Sequence, residues 1–223
     1  MNKTDTFVHF LVESGALKFG DFVTKSGRKT PYFINTGEFR TGASLSKLAE
    51  FYAAAFMEYF DGKAQNLYGP AYKGIPLCAA TAMKLSDVYA KNLTFTYNRK
   101  EVKDHGEGGS LVGYKYSEKT NVVIIEDVIT AGTSVNETMQ ALSQMENVKV
   151  VGLLISVDRR ERLENGKSAL QDVQDNYGLE ARSIISIDDI IKFLESEENR
   201  KAINAPEGIL DRVYAYREQW GVK

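Results

Sequence analysis

Residues 121–135 read NVVIIEDVITAGTSV, an apolar run rich in branched side chains, then two adjacent carboxylates, then small hydroxyl residues around a glycine. A buried parallel strand entering a capped helix explains the general pattern, because Thr and Ser at helix starts are ordinary caps. Two consecutive acids at the end of such a strand suggest chemistry as well. Gly132 lets the backbone approach a ligand closely, successive N–H groups can converge on an anion, and a helix N-terminus adds partial positive charge. Thr130, Thr133 and Ser134 can add hydroxyl donors. Glu126 and Asp127 cannot bind phosphate themselves, so they call for hydroxyl donors or a cation: ribose hydroxyls or Mg²⁺. Together the two features point to a ribose phosphate.

A second crossing of the same kind is GPAYKGIP at 69–76, where Gly69, Pro70 and Gly74 bracket Lys73. A lysine there can meet a diphosphate, and a solvated turn lysine is the plainer alternative. The segment is not a Walker A motif, since Ile-Pro stands where Lys-Ser/Thr is required, and no G-x-G-x-x-G follows a strand. NRKEVKDHGEGG then sets Arg99, Lys100, Lys103 and His105 before Gly106, Gly108 and Gly109. Charge runs are mostly solvated faces, but a cationic, glycine-hinged loop is also what a lid over polyphosphate needs. An ordinary histidine titrates near pH 6.5, so His105 can change charge around neutrality. Two distant histidines and the lone Cys78 have no metal-site spacing, and His9 has no evident chemical role.

These residues need elements to hold them. Phe7, Phe10 and Leu11 predict a short helix over 4–14, stopped by Gly15. Residues 16–37 predict a hairpin-type flank around a Ser-Gly-Arg turn. The run Leu45, Leu48, Phe51, Tyr52, Ala55, Phe56 and Tyr59 predicts a helix capped by Ser44. Strands are expected at 66–69, 93–97, 121–126 and 148–157, with helices over GIPLCAATAMKL and near 133–145. Residues 98–120 are expected as a long loop, the kind that is functional or disordered in a compact domain. Beyond 165 the pattern predicts a helix, a strand at ARSIISI and two closing helices, the last carrying Ile209, Leu210, Val213 and Tyr214. The alternation predicts an α/β fold with a central parallel sheet flanked by helices, and ligands in such sheets bind at the carboxyl ends of the strands.

At 223 residues the chain is expected to form one main domain, 1–223. The 28 Lys and Arg against 30 Asp and Glu give a net charge of −2, which leaves no global basic footprint for nucleic acid. No run of about 18 apolar residues predicts a membrane span. The N-terminal stretch, broken by Asp5, His9 and Glu13, lacks the core of a secretory signal. A single cysteine suits a reducing cytoplasm.

The ordered segments KSGRKTPYF, GPAYKGIP, NRKEVKDHGEGG, IIEDVITAGTS and SVDRRE resemble those of orotate phosphoribosyltransferases, a branch of the type I phosphoribosyltransferase superfamily. The resemblance runs from about residue 17 to 160. It implies the type I fold, with an N-terminal hood formed mainly by about 1–40 and a flexible loop at about 98–116. It also implies transfer of ribose 5-phosphate from 5-phospho-α-D-ribose 1-diphosphate (PRPP) to N1 of orotate, with Mg²⁺ carried mainly by PRPP. On that likeness Thr130, Ala131, Gly132, Thr133 and Ser134 hold the 5′-phosphate, and Glu126 and Asp127, continued by Val128 and Ile129, face the ribose. Tyr72 and Lys73 meet the diphosphate. Arg99, Lys100, Lys103 and His105 reach into the neighbouring site of a homodimer, Lys103 stabilising the leaving group with His105 assisting. Lys100 and Asp127 complete the catalytic set. Orotate falls to Lys25, Phe33, Ile34, Thr130 and Arg159, an apolar wall plus a cation that can grip a carboxylate with parallel bonds. Many relatives carry Phe-Phe at 33–34 and Asp-Asp at 126–127, where this chain has Phe33-Ile34 and Glu126-Asp127. A regulator that senses PRPP without turning it over is the other class these motifs allow; the intact 98–109 loop argues for the enzyme.

Overall fold

The computed structural model describes residues 2–24, 27–103, 109–129 and 133–222, with the backbone alone at 100–103, 109, 110 and 133. Contacts divide the chain into two compact units. One comprises Met1–Ser44, Val157–Ser168 and Ile185–Lys223, and the other Leu45–Ser156 and Ala169–Ile184.

The first unit opens with α1 (Lys3–Glu13), whose N-cap Asn2 accepts the Asp5 N–H at 2.8 Å. Gly15, at φ 73°, takes the left-handed turn that ends it. Strands β1 (Leu17–Val23) and β2 (Lys29–Ile34) pair antiparallel, Leu17 opposite Ile34. The N-terminal hairpin shares its unit with 157–168 and the C-terminal helices. Phe7, Val8, Leu11 and Tyr32 are buried in its core.

The second unit is built on α2 (Gly42–Phe60), which crosses from the first and buries Leu48, Tyr52, Phe56 and Phe60. The expected Ser44 cap lies one turn further back. Thr41 Oγ1 accepts the Ser44 N–H at 3.1 Å while Ser44 Oγ accepts the Thr41 N–H at 3.2 Å, a reciprocal closure of the helix start. There follow β3 (Asn66–Gly69), α3 (Gly74–Tyr89, Pro76 in its first turn), β4 (Thr94–Lys103), β5 (Gly109–Gly113), β6 (Thr120–Ile125), α4 (Thr133–Ser143) and β7 (Val148–Asp158). Next come α5 (Ala169–Tyr177) and β8 (Glu180–Ser186).

The six-stranded sheet has the order β5-β4-β3-β6-β7-β8. Its central pairs β4–β3, β3–β6 and β6–β7 are parallel. Strand β6 carries the apolar run quoted above, with Val122–Ile125 wholly buried, as a strand covered on both faces requires. The long loop expected at 98–120 is partly strand. β4 continues to Lys103 and pairs antiparallel with β5, Asn98 opposite Leu111 and Lys103 opposite Gly109. Cys78 is buried in α3, and burial pushes its thiol pKa up.

In the first unit the chain ends with α6 (Ile187–Glu195), α7 (Glu197–Ala202) and α8 (Ile209–Trp220), one helix more than expected beyond residue 186. On α8, Ile209, Val213 and Tyr216 are buried while Tyr214 is exposed.

Candidate active site

In the second unit the two strand-to-helix crossings meet at the carboxyl end of the sheet. A Cβ on Gly69 would lie 2.3 Å from the Gly74 carbonyl oxygen, and one on Gly74 would lie 3.1 Å from the Ile125 oxygen. The glycines therefore let the 69–74 turn fold on itself and close against the residue that precedes Glu126. Asn98, at the point where β4 leaves the core, accepts the Ala71 N–H through Oδ1 at 2.8 Å and ties down the same turn. The Ala71–Tyr72 peptide is cis. Tyr72 is 66 % exposed, and Lys73, also exposed, donates through Nζ to Asp127 Oδ2 at 3.0 Å.

Asp127 is buried, and its second oxygen accepts the Val128 N–H at 2.7 Å. Its carbonyl accepts from Ser156 Oγ at 2.6 Å and from the Ser156 N–H at 2.9 Å. The carbonyl of Glu126 accepts the fully buried Tyr52 hydroxyl at 2.7 Å, and its N–H bonds the Leu154 oxygen at 3.0 Å. Strand β7 and helix α2 thus fix the backbone from which both acids project.

Glu126 is the unusual group. Ser134 Oγ stands 3.5 Å from its Oε1, whereas the buried Oε2 has no hydrogen-bond partner among the described residues. Burial first, then the neighbouring Asp127 charge, raise its pKa to about 8. An enclosed carboxylate oxygen without a partner is costly and is an acceptor ready for a ligand's hydroxyls or a cation.

Val128 is half-buried and Ile129 buried. Ser134 is exposed in the first turn of α4. Thr133 begins that helix, and its side chain, like those of Lys100 and Lys103 on β4, falls outside the described residues. Lys25, His105, Thr130, Ala131 and Gly132 lie outside them altogether. Arg99 is half-buried on β4.

The remaining predicted residues belong to the first unit. Phe33 is 44 % exposed and stacks on Phe22 with centroids 5.6 Å apart; Ile34 follows at the end of β2. Arg159 is largely buried, its guanidinium carbon 5.4 Å from the centroid of the Tyr32 ring, and its Nε has no partner among the described residues. Its Nη2 donates to Glu161 Oε1. Glu161 also accepts from Arg28 Nη1 at 3.2 Å, Tyr216 Oη at 2.9 Å and Tyr32 Oη at 3.3 Å. Sequence reasoning singled out neither this carboxylate nor the supports Tyr52, Asn98 and Ser156. Glu161 and Ser156 lie in SVDRRE and Asn98 opens NRKEVKDHGEGG, the one signal that could have found them.

The sequence matches the phosphoribosyl transferase domain family over residues 37–191. It is 49 % identical to an orotate phosphoribosyltransferase of Lachnoclostridium phytofermentans over 217 residues, covering 97 % of this chain and 96 % of that one. With the corresponding protein of Clostridium acetobutylicum the identity is 46 %, and 97 % of each chain is covered. The fold is similar to the crystal structure of orotate phosphoribosyltransferase from Francisella tularensis, with a TM-score of 0.84 and 34 % identity over 97 % of this chain and 99 % of that one. Near-complete coverage of both partners at such identity, on the same mostly parallel sheet, leaves one conclusion: the chain belongs to the orotate phosphoribosyltransferase family, pentosyltransferases that join ribose 5-phosphate from PRPP to N1 of orotate in pyrimidine biosynthesis.

Proposed function

We propose that Glu126 and Asp127 take the ribose hydroxyls of PRPP, and that residues 128–134 receive its 5′-phosphate on main-chain amides and the hydroxyls of Thr130, Thr133 and Ser134. The observation that carries this reading is Glu126 Oε2, buried, without a partner among the described residues, and raised in pKa. Hydroxyl donors from a sugar would supply the bonds it lacks and favour its ionised form. Tyr72 and Lys73 then serve the diphosphate, Lys73 leaving Asp127 for the more highly charged ligand. Orotate is held by Lys25, Phe33, Ile34, Thr130 and Arg159, whose buried guanidinium suits the carboxylate of a flat acid.

Positive charge builds on the ribosyl C1 as diphosphate departs, so catalysis requires cations at the leaving group and oriented carboxylates at the sugar. Lys103 stabilises the leaving diphosphate, with His105, Lys100 and Arg99 beside it and Asp127 on the sugar. Among the described residues no three His, Cys, Asp or Glu side chains gather as a metal site. The donor set fits Mg²⁺ held chiefly by PRPP oxygens with Glu126 facing it, where it would neutralise charge on the leaving diphosphate.

In this reading the entire chain serves as one phosphoribosyltransferase domain and acts as a cytoplasmic homodimer, the 98–116 segment with its β4 and β5 strands completing the neighbouring site. No helix among the described residues is long and apolar enough to cross a membrane.

The test is spectrophotometric. The parent chain with PRPP and Mg²⁺ is expected to consume the ultraviolet absorbance of orotate. A Glu126→Ala, Asp127→Ala variant is expected to lose at least about 100-fold in kcat/KM for PRPP. Equal efficiency in that variant would contradict the sugar assignment.

A further inference from the structure

We propose that Glu161 is a positioning residue for orotate recognition, holding Arg159 in the orientation that meets the substrate's carboxylate. The inference rests on the assignment of Arg159 to orotate and deepens it. Arg159 has a side chain of several rotatable bonds, and a cation meant to grip a carboxylate loses affinity whenever it can swing away.

Glu161 accepts from four donors. Its Oε1 takes Arg159 Nη2, the Tyr216 hydroxyl at 2.9 Å and the Tyr32 hydroxyl at 3.3 Å, and its Oε2 takes Arg28 Nη1 at 3.2 Å. Each donor is itself held. Tyr32 and Tyr216 meet edge to face with centroids 5.6 Å apart, and Arg28 lies over the Trp220 ring at 4.2 Å. The backbone is also pinned: Glu161 bridges Gly221, the Arg162 N–H bonds the Trp220 oxygen at 2.7 Å, and the Val222 N–H bonds the Arg160 oxygen at 2.9 Å. A carboxylate restrained on every side is a rigid post for one arm of Arg159, while the buried Arg159 Nε has no partner among the described residues.

The charges agree with this role. Two guanidinium groups share one carboxylate, so the cluster keeps a net positive charge for an anionic ligand. Removing Glu161 would raise that charge, which favours an anion, but it would also set Arg28 and Arg159 against each other and free Arg159 to rotate. The side chains of Arg159, Arg28 and Glu161 are only 17 %, 24 % and 21 % exposed, so solvent screens this repulsion poorly and lost orientation outweighs gained charge.

The experiment measures steady-state kinetics for Glu161→Gln, which keeps the shape and removes the charge, and for Tyr216→Phe, which removes one donor and no charge. Arg159→Ala and the Glu161→Gln, Arg159→Ala double variant are measured beside them. Glu161→Gln is expected to raise KM for orotate about tenfold, with KM for PRPP within about twofold and kcat within about threefold. Tyr216→Phe should raise KM for orotate about threefold, and in the Arg159→Ala background Glu161→Gln should add nothing. An unchanged or lowered KM for orotate in Glu161→Gln, while Arg159→Ala raises it, would overturn the positioning role and leave the Arg159 assignment standing. Equal deterioration of both KM values with a lowered Tm in Tyr216→Phe would mark general structural support and also overturn it. If Arg159→Ala itself leaves KM for orotate unchanged, the assignment beneath the proposal is wrong.

Discussion

Lys73 Nζ lies 3.0 Å from Asp127 Oδ2, so the residue foreseen at the diphosphate and the one foreseen at the ribose touch each other directly. The pair joins the β3–α3 turn to the end of β6. An exposed lysine gives little stability through such a pair, typically about 0–1 kcal/mol, so the proposed role at the diphosphate is separable from any structural one. Lys73→Ala is expected to shift Tm by no more than about 3 °C and to raise KM for PRPP by about 10–100-fold, the loss of one charge-assisted contact. Thermal melts and initial rates check both halves; a large loss of Tm with an unchanged KM would make the pair structural.

Glu126 gives a pH signature. Its folded-state pKa, about 8, lies above the ordinary 4.5, so the native protein holds a proton that the unfolded chain has already released between those values. Stability from this residue is therefore lost as pH rises from 4.5 to 8, and no further loss occurs above that. Glu126→Gln escapes the penalty. Its Tm relative to the parent is expected to climb between pH 5.5 and 8.5 by about 4–10 °C, corresponding to about 2–3 kcal/mol. A Tm difference independent of pH would contradict the raised value.

The 69–74 turn is expected to be intolerant of a single methyl group. A Cβ at Gly69 would meet the Gly74 carbonyl oxygen at 2.3 Å, a backbone atom that cannot swing aside. Gly69→Ala is expected to cost about 1–3 kcal/mol and lower Tm by about 2–10 °C, with a rise in KM for PRPP because Tyr72 and Lys73 move with the turn. Scanning calorimetry and kinetics on one preparation would check it; wild-type values for both would show the turn to be more yielding than its packing implies.

Much of the proposed sugar-phosphate side is legible in the sequence, because its residues are local. Glu126 to Ser134 are consecutive, and a branched run ending in acids and hydroxyls announces a strand, a turn and a helix start. What escaped was chemistry assembled across the chain. Tyr52 supports Glu126 from 74 residues away and Asn98 holds Ala71 across 27, distances at which residue type carries no pairing information. Glu161 gathers Arg28 and Tyr32 from 133 and 129 residues away. Strand β5 was read as loop because its Gly-rich start and short apolar stretch lack a clear period; antiparallel pairing with β4 at the sheet edge supplies its backbone partners. The cap at Thr41 was missed because Thr41 and Ser44 both carry suitable hydroxyls, and the choice depends on where the helix begins.

The role proposed for Lys103, at the end of β4, separates chemistry from binding. Lys103→Ala is expected to lower kcat by at least about 100-fold while KM for PRPP changes less than about threefold, as for a group that acts mainly on the departing diphosphate. Mixing Lys103→Ala chains with Asp127→Ala chains is expected to restore part of the activity through hybrid dimers carrying one intact site. Confirmed hybrids without recovery would confine each site to one chain.

The sugar assignment is tested most directly by a crystal structure with PRPP and Mg²⁺ bound. The ribose hydroxyls are expected within hydrogen-bond distance of the Glu126 and Asp127 carboxylates, the 5′-phosphate on the amides of 128–134, and Lys73 Nζ turned from Asp127 to a diphosphate oxygen. A sugar bound elsewhere, with Glu126 Oε2 still lacking a partner and Lys73 still on Asp127, would contradict it.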